Sequence, residues 1–176
     1  MSGHNKWSKI KNKKATTDAQ KSKVFSKLVK LIQNESKICG GSIDSPSLKS
    51  AIEKAKAANM PSDNINRAIK KGVESGSTNM EQVVYEAYGP GGAAIIIDGL
   101  TDNKNKTAQE IRHILTRNGL SLATTGSASW AFAKTGAEYI PNTMVEISDE
   151  DGEKLDKIIE ELEENDDVQG IFTNAE

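Results

Sequence analysis

The chain is 176 residues long and 36% apolar, which leaves room for one large or two small domains with cores of their own. Its longest apolar runs, such as residues 93–97, fall far short of the roughly 20 residues a membrane-spanning helix needs, so no membrane partner is expected. The lone Cys39 excludes an internal disulfide and fits a reducing, cytoplasmic setting.

The formal net charge of −2 conceals a sorting of charge along the chain. Residues 1–75 carry 15 Lys and 1 Arg against 6 acids, residues 76–136 carry 5 bases and 5 acids, and residues 137–176 carry 2 bases against 14 acids. Exposed charges are screened over about 8 Å at physiological salt, so a basic lobe and an acidic lobe are expected to act separately on an approaching ligand.

In chain order, Thr16 or Thr17 caps a first helix in which Val24, Leu28, Leu31 and Ile38, flanked by Phe25 and Ile32, recur every three to four residues until Gly40 and Gly41 end it. A second helix starts from Ser45 with Pro46 in its first position and carries Leu48, Ala51, Ile52, Ala55 and Ala58 on one stripe. A third takes Ser62 as cap, turns Ile65, Ala68 and Ile69 inward, and stops at Gly72. These make a basic helical domain over residues 1–75, and the polar, glycine-containing stretch that follows reads as a linker at 76–82.

Beyond the linker the period changes. Residues 83–89 and 93–99 read as strands on either side of the turn Gly89-Pro90-Gly91-Gly92, whose glycines supply positive φ. A helix follows with Ala108, Ile111 and Leu115 inward and Gly119 as its stop, then an alternating strand at 127–133 and another at 143–147. Ser148 with Asp151 resembles a capping box ahead of a helix bearing Leu155, Ile158, Ile159 and Leu162, and residues 168–174 close the chain as a strand. The predicted fold class is therefore α+β: three helices, then a ferredoxin-like βαββαβ domain over 83–176 with one extra strand in front.

No enzyme can be argued from these parts, and no cofactor or metal is expected. The two histidines, His4 and His113, are isolated, and no cysteine or carboxylate cluster has metal-ligand spacing. The glycine turn at 89–92 lacks both the GxGxxG spacing and the GK[ST] lysine of a phosphate loop, so it reads as a turn. Asp98 and Asp102 bracket a strand end, where capping or loop roles account for them.

The strong signal is basic. Residues 1–30 hold nine lysines against Asp18 alone, whereas a solvated helix face interleaves both signs. A nucleic-acid backbone suits such a segment, because each lysine contact releases a condensed counterion; a soluble basic face without a partner is the plainer reading. Candidate contacts are Lys6, Lys9, Lys11, Lys13, Lys14, Lys21, Lys23, Lys27 and Lys30, extended by Arg67, Lys70 and Lys71 on the third helix. Trp7 either stacks on an exposed base or packs on the first helix. Lysine acts mostly as a point charge on phosphate, so weak sequence preference is expected. The acidic helix near the C-terminus is either simply solvated or regulatory, masking the basic arm or repelling nucleic acid from the wrong side of the protein.

The blocks GHNKWSKIKNKKATTDAQKSKVFSKLVKLI, AIEKAKAANMPSDNINRAIKKG, YEAYGPGGAAIIIDGLTDNKNKTAQEIRHILTRNG, GSASWAFAKTG and DDVQGIFTNAE resemble, in order, the signature blocks of the YebC/PmpR family. The resemblance implies a helical N-terminal domain followed by α/β domains and a cytoplasmic or organellar factor in gene expression without enzyme activity. Family members are described as DNA-binding transcriptional regulators, and others look like translation factors working on the ribosome and its RNA; a protein-interaction module with incidental basic charge is the alternative from another class. One departure stands out: the family's inserted third domain is missing, because residues 131–136 run through 137–142 almost directly into 143–148.

Overall fold

The computed structural model describes residues 17–74 and 76–176, which fall into two compact units, one running to Glu81 and the other spanning Gln82–Glu176. The first contains helices α1 (Asp18–Cys39), α2 (Pro46–Ala57) and α3 (Ser62–Val73).

Helix α1 begins in a reciprocal capping box: the Gln20 backbone N–H donates to Thr17 Oγ1 at 3.2 Å, and the Thr17 N–H donates to Gln20 Oε1 at 3.1 Å. It ends at Gly40 in the left-handed region. Ile32 is fully buried with Phe25, Leu28, Val29 and Leu31 packed around it, and Leu48, Ala51, Ala55, Met60, Ile65 and Ala68 complete this core. Ile38, expected on the buried stripe, is 71% exposed because it lies about 120° around α1 from Ile32, whereas its neighbour Cys39 packs on that core.

The third helix departs from expectation at both ends. Pro61 is its N-cap and Ser62 its first helical residue, with no side-chain cap bond. Gly72 does not terminate it; the residue lies inside α3, buried, where a Cβ would come within 2.5 Å of the Gln33 carbonyl oxygen and 2.8 Å of Ser36 Cβ on α1. Its value is the close approach of two helices, pinned alongside by the Ser36 hydroxyl donating to the Ile69 carbonyl at 2.7 Å. In the predicted linker, Lys37 Nζ binds the Ser77 carbonyl and Asn79 Oδ1, both at 2.6 Å.

Strand β1 (Glu81–Tyr88) starts at the boundary residue, and the second unit continues with β2 (Ala94–Thr101), α4 (Lys104–Arg117), β3 (Leu122–Ala123), β4 (Phe132–Thr135), β5 (Glu138–Pro141), α5 (Asp149–Glu163) and β6 (Val168–Thr173). The main sheet has the order β3-β1-β2-β6, and β4 and β5 form a separate two-stranded hairpin. Every residue of β2 is buried. Ile95 and Ile97 meet α4 and α5 in one cluster with Ile111, Leu115, Leu155 and Leu162, while Ala94 and Ile96 meet Ala128, Ala131, Phe132 and Phe172 on the opposite face. A strand covered on both faces reads as a continuous apolar run, which is why residues 93–97 lack alternation.

The α+β architecture matches expectation, but the strands are distributed differently. The strand in front, β1, occupies an interior place between β3 and β2, since a turn of a few residues brings it beside β2 at little loop entropy. Residues 127–133 form a turn, a 3₁₀ segment at Ser129–Ala131 and the start of β4, laying Ala128, Ala131 and Phe132 across the sheet rather than joining it. Residues 143–147 make only an isolated bridge, Val145 with Ala175. Asn174 secures that corner, accepting from the Ala94 N–H at 2.7 Å and donating to the Thr143 carbonyl at 2.8 Å. The turn between β1 and β2 does use positive φ, at Gly91 (72°) and Gly92 (81°), and Gly119 (75°) stops α4.

Candidate nucleic-acid interface

Lys6, Trp7, Lys9, Lys11, Lys13 and Lys14 lie outside the described residues. The remaining candidates divide by helix geometry. Lys23, Lys27 and Lys30 stand at i, i+4 and i+7 and so share one face of α1, opposite the fully buried Ile32. Lys21 precedes Lys23 by two residues, about 200° around the axis, and belongs to the other side of the helix.

On α3, Arg67, Lys70 and Lys71 are exposed, while Ile65, Ala68 and Gly72 face the core. Lys70 and Lys71 sit in the last turn, where the helix dipole favours cations, so helix stability gives them a second role. Arg67 lies mid-helix and has no such role. Between α1 and α3 runs a groove of about 220 Å³ lined by Val29, Gln33, Asn64, Arg67, Ala68 and Lys71. Two cations one turn apart, amides at the rim and an apolar floor can receive a phosphate with part of its sugar.

Gln33 and Asn64 were not singled out by charge. Asn64 does precede Arg67 by three and Lys71 by seven, a spacing that places all three on one face of α3. Asp18 and Asp63 occupy the first turns of α1 and α3, where the positive end of the dipole stabilises them; Asp63 lies one turn before Arg67 on the same face, and Glu35 is the second acid of α1.

The acidic helix α5 is partly committed to its neighbour. Arg117 Nη2 meets Glu161 Oε2 at 2.6 Å and Asn118 Nδ2 donates to the same oxygen at 3.0 Å; the bond from Arg117 and then that from Asn118 hold the Glu161 carboxyl below its ordinary range. Asn165 donates to Glu110 at 2.8 Å. His113 is exposed on α4, and among the described residues no group of His, Cys, Asp and Glu is placed to hold a metal ion. No helix among the described residues is long and apolar enough to cross a membrane.

Two family profiles match nearly the whole sequence: one described as the TACO1/YebC protein N-terminal domain over residues 5–75, the other as the TACO1/YebC second and third domain over residues 80–138 and 134–175. The chain belongs to the TACO1/YebC family. It is 41% identical over 239 aligned positions to a probable transcriptional regulatory protein of Thermoanaerobacter pseudethanolicus, covering 100% of this chain and 97% of the relative. A probable transcriptional regulatory protein of Petrotoga mobilis is 46% identical over 179 positions, covering 100% of this chain and 71% of that one. The crystal structure of the conserved hypothetical protein Aq1575 from Aquifex aeolicus superposes with a TM-score of 0.83 at 32% identity, covering 97% of this chain and 96% of that one.

An alignment of 239 positions against a chain of 176 residues means that the Thermoanaerobacter relative carries a long stretch absent here. The two matched segments of the second TACO1/YebC profile meet at 134–138, the tip of the β4–β5 hairpin, where Thr135 faces Glu138 and Gly136 has φ 62°. The hairpin closes where the expected third domain would enter and leave.

Proposed function

We propose that this TACO1/YebC chain is a non-enzymatic regulator of gene expression that holds nucleic acid by its phosphate backbone, through the basic faces of α1 and α3 and the lysine-rich segment before them. The observation that carries the reading is the groove in which Arg67 and Lys71 stand beside Asn64 and Gln33, next to an α1 face bearing Lys23, Lys27 and Lys30. The names of the relatives, probable transcriptional regulatory proteins, point the same way. Lysine contacts to phosphate do not see the 2′-OH, so the charge pattern suits DNA and RNA alike.

Charge reversal tests the location. Changing Lys23, Lys27 and Lys30 together to Glu is expected to abolish binding of a labelled oligonucleotide, while the same change at Lys49, Lys54 and Lys56 on α2 costs far less. Equal losses from both sets would refute the assignment to α1 and α3. Capture from a cell lysate of promoter DNA against ribosomes then separates a role in transcription from one in translation.

A further inference from the structure

The turn between β3 and β4 holds a large aromatic side chain in solvent while committing buried polar groups to keep it still. Trp130 is 59% exposed, yet its indole N–H is already used: Nε1 donates to the Tyr88 hydroxyl at 3.0 Å and to the Ser127 carbonyl at 2.9 Å. The Tyr88 hydroxyl in turn donates to that carbonyl. Beneath them the buried Glu86 carboxylate accepts three backbone N–H groups of the same turn, from Gly126 at 2.8 Å, Ala128 at 2.7 Å and Ser129 at 2.9 Å. More than half of the apolar burial that ordinarily offsets the ordering of an indole is given up here. The ring therefore offers a flat π surface, held by its Nε1 against the hydroxyl of the half-exposed Tyr88.

We infer that this turn is a stacking site for an unpaired base of single-stranded nucleic acid; the inference rests on the reading that the chain binds nucleic acid. A protein hot spot needs a wide apolar surround that shuts out water, whereas Thr124, Thr125 and Gly126 are exposed here. Lys134 on β4, four residues beyond Trp130 in the chain, is exposed and stands 5.5 Å from the Tyr139 ring centre. Glu86 acts as a positioning residue, and stacking tolerates any base because every base has a π face.

The test uses the full chain carrying 5-fluorotryptophan, with the Trp130 resonance assigned through W130F, titrated with oligo-dT or with the same strand annealed to its complement. Binding is followed independently by anisotropy of a label on the strand. The Trp130 resonance is expected to move with the single strand and to stay in place with the duplex. W130A is expected to weaken single-strand binding about 5- to 150-fold, the range base stacking supplies, leaving duplex affinity unchanged, while W130F retains most of it. A rise in anisotropy with an unmoved Trp130 resonance overturns the stacking site alone. No rise with either ligand overturns the nucleic-acid reading and the stacking site with it. The wild-type resonance decides the matter even if W130A folds poorly.

Discussion

Glu86 shows how one residue's surroundings set a measurable property. Burial raises its carboxyl pKa, but the N–H groups of Gly126, Ala128 and Ser129, with the Ser129 hydroxyl, outweigh that and hold it below the ordinary 4.5. A carboxyl lowered on folding contributes stability that is complete above the unfolded value and is lost as pH falls through the folded one. Glu86→Gln is therefore expected to destabilise the chain by about 1–3 kcal/mol at pH 7 and to flatten the decline of stability below about pH 4.5, read by denaturant unfolding across pH. Gly72 supports a prediction of reversed sign. In an open helix interior Gly→Ala gains about 1 kcal/mol, but here the new Cβ meets the Gln33 carbonyl at 2.5 Å, so Gly72→Ala should cost about 1–3 kcal/mol in the same assay.

At the scale of elements, the helix starts rank themselves. Thr17 and Ser148 accept backbone hydrogen bonds from Gln20 and Asp151, whereas Ser45 makes no cap bond. Thr17→Ala and Ser148→Ala should each cost about 1 kcal/mol and Ser45→Ala only a few tenths, as shifts in unfolding midpoint at constant slope. These starts, the positive-φ stops at Gly40 and Gly119 and the apolar stripes of α4 and α5 were legible because each depends on neighbours within a turn or two. The place of β1 inside the sheet was not, since its partner β3 lies a helix away and only two residues long. Gly72 misled for a similar reason: its neighbours Gln33 and Ser36 belong to another helix. Alternation over 127–133 would place Ala128, Trp130 and Phe132 on one face, but the structure buries Ala128, Ala131 and Phe132 and exposes Trp130, so only contact with the sheet's second face reveals a cover rather than a strand.

At the scale of the molecule, the candidate site was half legible. The lysine excess and the shared face of Lys23, Lys27 and Lys30 follow from composition and period, while the groove joining Gln33 to Asn64 and Arg67 needs α1 and α3 packed together. The hairpin at 134–138 also explains how a TACO1/YebC chain dispenses with a long inserted stretch, because β2, β6 and both helices close their core without it. The charge account is tested most directly by the salt dependence of affinity for duplex DNA. If about five to eight phosphates are neutralised, log K should fall against log salt with a slope of roughly −5 to −7, a loss of about three to four decades between 50 and 200 mM. Changing Lys23, Lys27 and Lys30 to Gln should make that slope shallower by about three, one for each phosphate contact removed. A wild-type slope near zero, or one that the triple substitution leaves unchanged, would contradict the account.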